Sequence, residues 1–216
     1  MMGLSFVRET GKPLQILCLG CHADDIEIGC GGTILRLAEE YGPCELHWVV
    51  LSACGIREAE ARRAASLFAG TQLLAPLIKT FRDGFMPFEG AALKEFFETD
   101  LKHLTPDIIF THYRMDAHQD HRTVSELTWN TFRNHLILEY EIPKYDGDLG
   151  QPNLFIPLDR DKCEEKVGYM MDSFKSQQSK KWFDQSTFMA LMRLRGMECN
   201  SPSGFAEAFY CRKVVV

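Results

Sequence analysis

At 216 residues, with 45% hydrophobic residues and a net charge of -6 from 30 acidic and 24 basic side chains, the chain has material for one well-packed core and too little for two ordinary domains. The charges are interspersed, which argues against recruitment of nucleic acid or an anionic membrane by charge alone. No stretch reaches the ~18 apolar residues of a membrane span, and "MMGLSFVRETGKPLQ" is mixed and polar rather than export-like; the expectation is one domain over 1–216, soluble and cytoplasmic, with a homo-oligomer left open.

In chain order, "LQILCLG" (14–20) is a continuous apolar run, followed by a glycine-rich turn and by "GTILRLAEEYG", whose apolar positions recur at helical spacing. "CELHWVVLSA" (44–53) predicts a second strand and "REAEARRAASLFAG" a helix that stops at Gly70. "LLAPLI" predicts a third strand, "GAALKEFFETDLKHL" an amphipathic helix, "PDIIFTH" (106–112) a fourth strand and "HRTVSELTWNTFRNH" the helix after it. "LILEYEIP" and "NLFIPL" add strands, with the Pro-, Gly- and Asp-rich loop "EIPKYDGDLGQPN" (141–153) between them. Beyond Asp159 come two helices broken near "SQQSKK", the second stopped by Gly196, with Trp182 and Phe183 as packing aromatics, then a closing strand "AEAFYCRKVVV". Alternation of this kind predicts an α/β, Rossmann-like, mostly parallel doubly wound sheet with helices on both faces.

Such sheets bind ligands at the carboxyl ends of their strands. His22, Asp24 and Asp25 follow the first strand, and Asp116, His118, Asp120 and His121 follow "PDIIFTH". If those strands are neighbours, both loops open into one crevice and supply imidazole and carboxylate donors of the kind that hold zinc with a position left open. Adjacent carboxylates repel unless a cation lies between them. The i, i+3 spacing of His118 and His121 does not decide which of the two is a ligand. His112, at the end of its strand, reads as a structural residue beside the same crevice.

Cys18-Leu-Gly-Cys21-His22 also has the C-x-x-C-H spacing of a covalent haem site. That reading fails on two counts: Cys18 lies inside an apolar strand, and the eight cysteines are scattered as ordinary buried thiols of a reducing compartment. The cluster Gly29, Gly31, Gly32 supports a rival reading, a Rossmann-type domain for a dinucleotide or S-adenosylmethionine. It does not follow G-x-G-x-x-G, and the second strand ends "VVLSACG" without an acidic residue for a ribose hydroxyl.

"HADDIEIGCGGTI" resembles the H-P-D-D-E-x-x-G-x-G-G-T signature of the PIG-L/LmbE-like N-acetylglucosaminyl de-N-acetylase family, and "DAHQDHR" resembles its second signature, H-P-D-H. Weaker echoes, "REAEARRAASLFAG", "FRDGF" and "AEAFYCRK", extend the resemblance from about Leu14 to Lys213. It implies a zinc-dependent hydrolase, with ferrous iron as the alternative metal, that removes acetyl from a small-molecule N-acetylated amino sugar. His22, Asp25 and His121 would bind the metal and Asp24 would be the general base. His118 would stabilise the oxyanion or protonate the leaving amine, and Arg57 and Asp83 would reach the sugar. Ala23 and Gln119 replace the signature prolines without removing a ligand, and Ile26 stands where an acidic residue is usual, with Glu27 one place later. Glu207 resembles a family position without an evident chemical task. The loop 141–153 has two readings, a lid touched by Tyr145 or Asp146, or a plain turn.

Overall fold

The computed structural model describes residues 3, 5–6, 12–42 and 44–215. Most of the N-terminal stretch on which the export reading rests lies outside them. Seven strands form one sheet: β1 (Leu14–His22), β2 (Cys44–Ser52), β3 (Leu77–Ile78), β4 (Ile108–His112), β5 (Leu136–Tyr140), β6 (Leu154–Leu158) and β7 (Phe205–Cys211). Their order is β3-β2-β1-β4-β5-β7-β6. The first five are parallel, and β7 runs antiparallel between β5 and β6. The expected α/β architecture, mostly parallel and wound on both faces, is the one found.

Helices α1 (Asp25–Glu40), α2 (Ile56–Ala69), α5 (Arg160–Ser173) and α6 (Gln185–Glu198) pack on one face. On the other lie α3 (Gly90–Phe96), its π-helical continuation Phe97–Leu101, and α4 (Gln119–Thr131). Because side chains alternate along a strand, Ile16 and Cys18 enter the first layer while Leu17, Leu19 and Cys21 enter the second. Cys18 and Cys21 therefore point to opposite faces and are both buried, which removes the structural premise of a C-x-x-C site.

The chain reverses its direction of growth at β1: β2 and β3 lie on one side, β4 and β5 on the other. Strand register pairs Ile16 with Ile108 and Cys18 with Phe110, so the loops after β1 and β4 leave the same edge side by side. This is the topological switch point at which open α/β sheets form a crevice.

Several elements differ from the sequence expectation. Helix α1 starts at Asp25, and the glycines expected in a turn lie in its first two turns. Tertiary contact overrides their low helix propensity: a Cβ at Gly29 would run into the Tyr140 ring and one at Gly31 into Phe68. The premise of the nucleotide-binding alternative, a glycine-rich loop, is thus replaced by close helix packing. Strand β3 is short because Pro76 cannot donate to the ladder. Gly196 lies inside α6, which continues to Glu198; a Cβ there would strike the backbone of Gly204 and Phe205. Strand β7 ends at Cys211, short of the expected terminal valines, of which Val216 is outside the described residues. No helix among the described residues is long and apolar enough to cross a membrane.

Glu207 ties the layers together. Its carboxylate accepts from the backbone N–H groups of Gly32 (2.9 Å) and Thr33 (2.7 Å) in α1 and pairs with the buried Lys166 ammonium at 2.6 Å, which also donates to the Ile28 carbonyl at 2.7 Å. Removing one partner of a buried pair strands the other charge. Glu207→Ala is expected to cost about 3–5 kcal/mol in urea unfolding, while Glu164→Ala, in an exposed pair with Arg160, should stay within ~0.5 kcal/mol of wild type.

Candidate metal centre

Strand β1 ends at His22, and α1 begins at Asp25, so one tight turn presents three polar side chains at the crevice. The Asp25 carboxylate folds back and accepts from the His22 backbone N–H at 2.6 Å. From β4 the chain passes through Asp116 to His118, which caps α4 by accepting the Asp120 N–H on Nδ1, and to His121 in its first turn.

These elements bring three donor atoms together. His22 Nδ1 lies 3.3 Å from Asp25 Oδ2, His121 Nε2 lies 3.3 Å from His22 Nδ1, and His121 Nε2 lies 3.7 Å from Asp25 Oδ2. Bonds of about 2.0–2.1 Å to a tetrahedral zinc put neighbouring donors about 3.3 Å apart. Two imidazole nitrogens at that separation, beside a buried carboxylate, face one another across room for a proton or a cation. The set fits a divalent metal.

Each donor is held from behind. His121 Nδ1 meets Asp116 Oδ2 at 3.0 Å, which leaves Nε2 with its lone pair towards the centre. His22 Nε2 lies 3.0 Å from Asp83 Oδ1 and 3.5 Å from Asp120 Oδ2. Asp120 is itself fixed by the N–H groups of Gly84 (2.7 Å) and Met86 (3.1 Å). His112 is fully buried, stacks on His121 with ring centroids 3.9 Å apart, and brings Nε2 to 3.2 Å from Asp25 Oδ2 and 3.0 Å from the Cys21 N–H. The carboxyl-end rule for parallel strands offered a signal for His112, which terminates β4 beside the crevice.

The electrostatics ask for positive charge. Burial opposes ionisation of Asp25, yet His121, His112 and His22 hold its carboxyl well below the ordinary range. Burial also opposes a charged His22, but Asp25 and contacts with Asp120 and Asp83 raise its pKa well above the usual imidazole value. His121 and His118 are lowered by burial first and then by neighbouring imidazoles. Cys21 shares a donor cluster with Asp25, His112 and His121. Burial and then Asp25 push its thiol well up.

Asp24 is 3% exposed. One oxygen accepts from Arg57 Nη2 at 2.7 Å, while Oδ2 has no hydrogen-bond partner among the described residues. Burial raises its pKa against the pull of Arg57. Arg57 also pairs with Glu60 at 3.0 Å, so its guanidinium is committed to Asp24 and α2. Asp83 is 75% exposed at its side chain and stands at the mouth, in contact with His22. Glu27 is fully buried, and neither oxygen has a partner among the described residues; burial pushes its carboxyl well up. It lies in the first turn of α1, away from the surface.

Residues 17–132, more than half of the chain, match the PIG-L family, described as GlcNAc-PI de-N-acetylase. The chain belongs to the PIG-L family. Its fold is similar to that of the conserved protein TT1542 from Thermus thermophilus (TM-score 0.74, 20% identity, 94% of this chain and 96% of that one covered). It is similar to N,N'-diacetylchitobiose deacetylase from Pyrococcus horikoshii (TM-score 0.67, 19% identity, 92% and 83% covered). It is also similar to GalB, the 4-carboxy-2-hydroxymuconate hydratase from Pseudomonas putida KT2440 (TM-score 0.69, 15% identity, 94% and 98% covered). One architecture thus carries both a deacetylase and a hydratase, so the reaction has to be argued from this PIG-L member's own site.

A donor set of this kind makes metal binding visible as stability. Adding zinc to chelator-treated protein at about 100 times the Kd should stabilise it by about 2.7 kcal/mol, read as a rise in Tm, and His22→Ala should remove the rise.

Proposed function

We propose that this protein is a metal-dependent hydrolase that removes the acetyl group from a small-molecule N-acetylated amino sugar, with His22 Nδ1, Asp25 and His121 Nε2 holding zinc or ferrous iron. The observation that carries the reading is the convergence of those three atoms beside Asp24, a buried carboxylate with one oxygen anchored and the other unpartnered. Family membership supports the same reaction class.

When bound, the metal supplies Lewis acidity, making water easier to deprotonate and an amide carbonyl more electrophilic. Asp24 accepts the proton of the attacking water on Oδ2, because Arg57 occupies Oδ1 and thereby fixes the carboxylate's orientation. His118 accepts the Asp120 N–H on Nδ1, so its neutral tautomer carries the proton on Nε2. The lowered pKa of His118 keeps it neutral, suited to donate a hydrogen bond to the developing oxyanion. The proton taken by Asp24 then passes to the leaving nitrogen as the C–N bond breaks, giving acetate and a free amine. Asp83, exposed beside His22, is placed in this reading to meet a sugar hydroxyl while retaining its contact with the ligand, and Arg57 supports the same end of the substrate through Asp24.

Two sets of variants test the assignment. Asp24→Asn should retain metal and lower kcat by 100-fold or more (about 10²–10⁴ for a general base), whereas His121→Ala should lose metal affinity; equal metal loss in both would reverse base and ligand. His118→Ala should keep its metal and slow turnover about 10²–10³-fold, the range for loss of an oxyanion donor, and a metal-free His118→Ala would move the ligand role to that residue. Amine release from N-acetyl sugars is the activity readout.

A further inference from the structure

Lys144 lies in the turn between β5 and β6, 11% exposed at its side chain beside Tyr145, which is 73% exposed. Its ammonium contacts Asp116 Oδ2 at 2.9 Å, Asp148 Oδ2 at 2.5 Å and the Ile142 carbonyl at 3.3 Å. Asp148 Oδ2 also accepts the Ala117 N–H at 2.7 Å. The segment 142–148 therefore grips the β4–α4 loop from outside at two consecutive residues, Asp116 and Ala117.

Asp116 is the node of this grip. Oδ1 accepts the His118 N–H at 2.7 Å, and Oδ2 is shared between His121 Nδ1 at 3.0 Å and Lys144. A carboxylate with both oxygens engaged has one rotamer, and that rotamer sets the plane of the His121 ring. Burial works against the charged carboxylate, yet His121, His112 and Lys144 keep it below its ordinary range.

We infer that Lys144 is a positioning residue for the metal centre: by fixing Asp116 it fixes the direction in which His121 presents Nε2, and it couples the 142–148 turn to that ligand. This rests on the reading of His121 as a metal ligand. The turn acts as a strut under the site, and Lys144 rather than Tyr145 or Asp146 is its working member.

The test is zinc affinity of the metal-stripped protein, measured by competition with a chromogenic chelator, so that no activity is needed. Lys144→Met is expected to weaken zinc binding about ten-fold, the lower end for loss of an outer partner of a metal ligand, and Lys144→Arg to recover most of it. Asp116→Asn should weaken binding too, and adding Lys144→Met to that variant should cost less than about two-fold further, because the lysine acts through the carboxylate. Should Lys144→Met not fold, Lys144→Ala, which likewise offers Asp116 no donor, carries the same comparison. Unchanged affinity in the lysine variant, or a full ten-fold cost in the Asp116→Asn background, overturns the inference alone. Wild-type protein that takes up no zinc overturns the metal reading beneath it.

Discussion

Asp25 is the constraint around which the crevice is arranged. Its carboxylate is almost fully buried, 2.6 Å from the His22 N–H and within 3.7 Å of nitrogens from three imidazoles. A charge so placed is tolerable only where positive charge or strong donors surround it. His22 is correspondingly inclined to hold a proton, and the separation of donors matches what a small divalent cation would impose. The sheet supplies the rest: β1 and β4 are neighbours, so residues almost 100 positions apart in sequence reach the same few cubic ångströms.

Each of the three donors is backed by another group, and the backing differs in kind. His121 rests on Asp116, His22 faces Asp83 and Asp120, and Asp25 faces His112. Of the inner partners, His112 ends β4 and stacks on the His121 ring, Asp120 lies in the first turn of α4, and Asp116 lies in the loop between β4 and α4. Asp83 is the exception, exposed in the loop before Met86–Glu89.

The sequence made the architecture legible because its signals were local: apolar runs for β1, β2 and β4, helical spacing for α2 and α4, and acidic and imidazole residues just past two strand ends. The donor cluster followed from one topological assumption, that those strands are adjacent, which the sheet order bears out. Where local signals competed with packing, they misled. Gly29 and Gly31 read as a turn but lie inside α1, where the Tyr140 and Phe68 rings leave no room for a Cβ. Gly196 read as a stop but marks a close crossing of α6 over the Gly204–Phe205 backbone. Lys144 had no legible signal, since its partner Asp116 is 28 residues away and its neighbours read as an ordinary turn. Glu207 stood out by resemblance but its task did not, because its partners in α1 lie 174 and 175 residues distant.

The most direct measurement is elemental analysis of the purified, tag-free protein beside its His22→Ala variant. About one zinc or iron per chain is expected in the wild type, with its loss in the variant. No metal in the wild type, even after reconstitution with zinc and with ferrous iron, would contradict it and leave the convergent donors without a catalytic role.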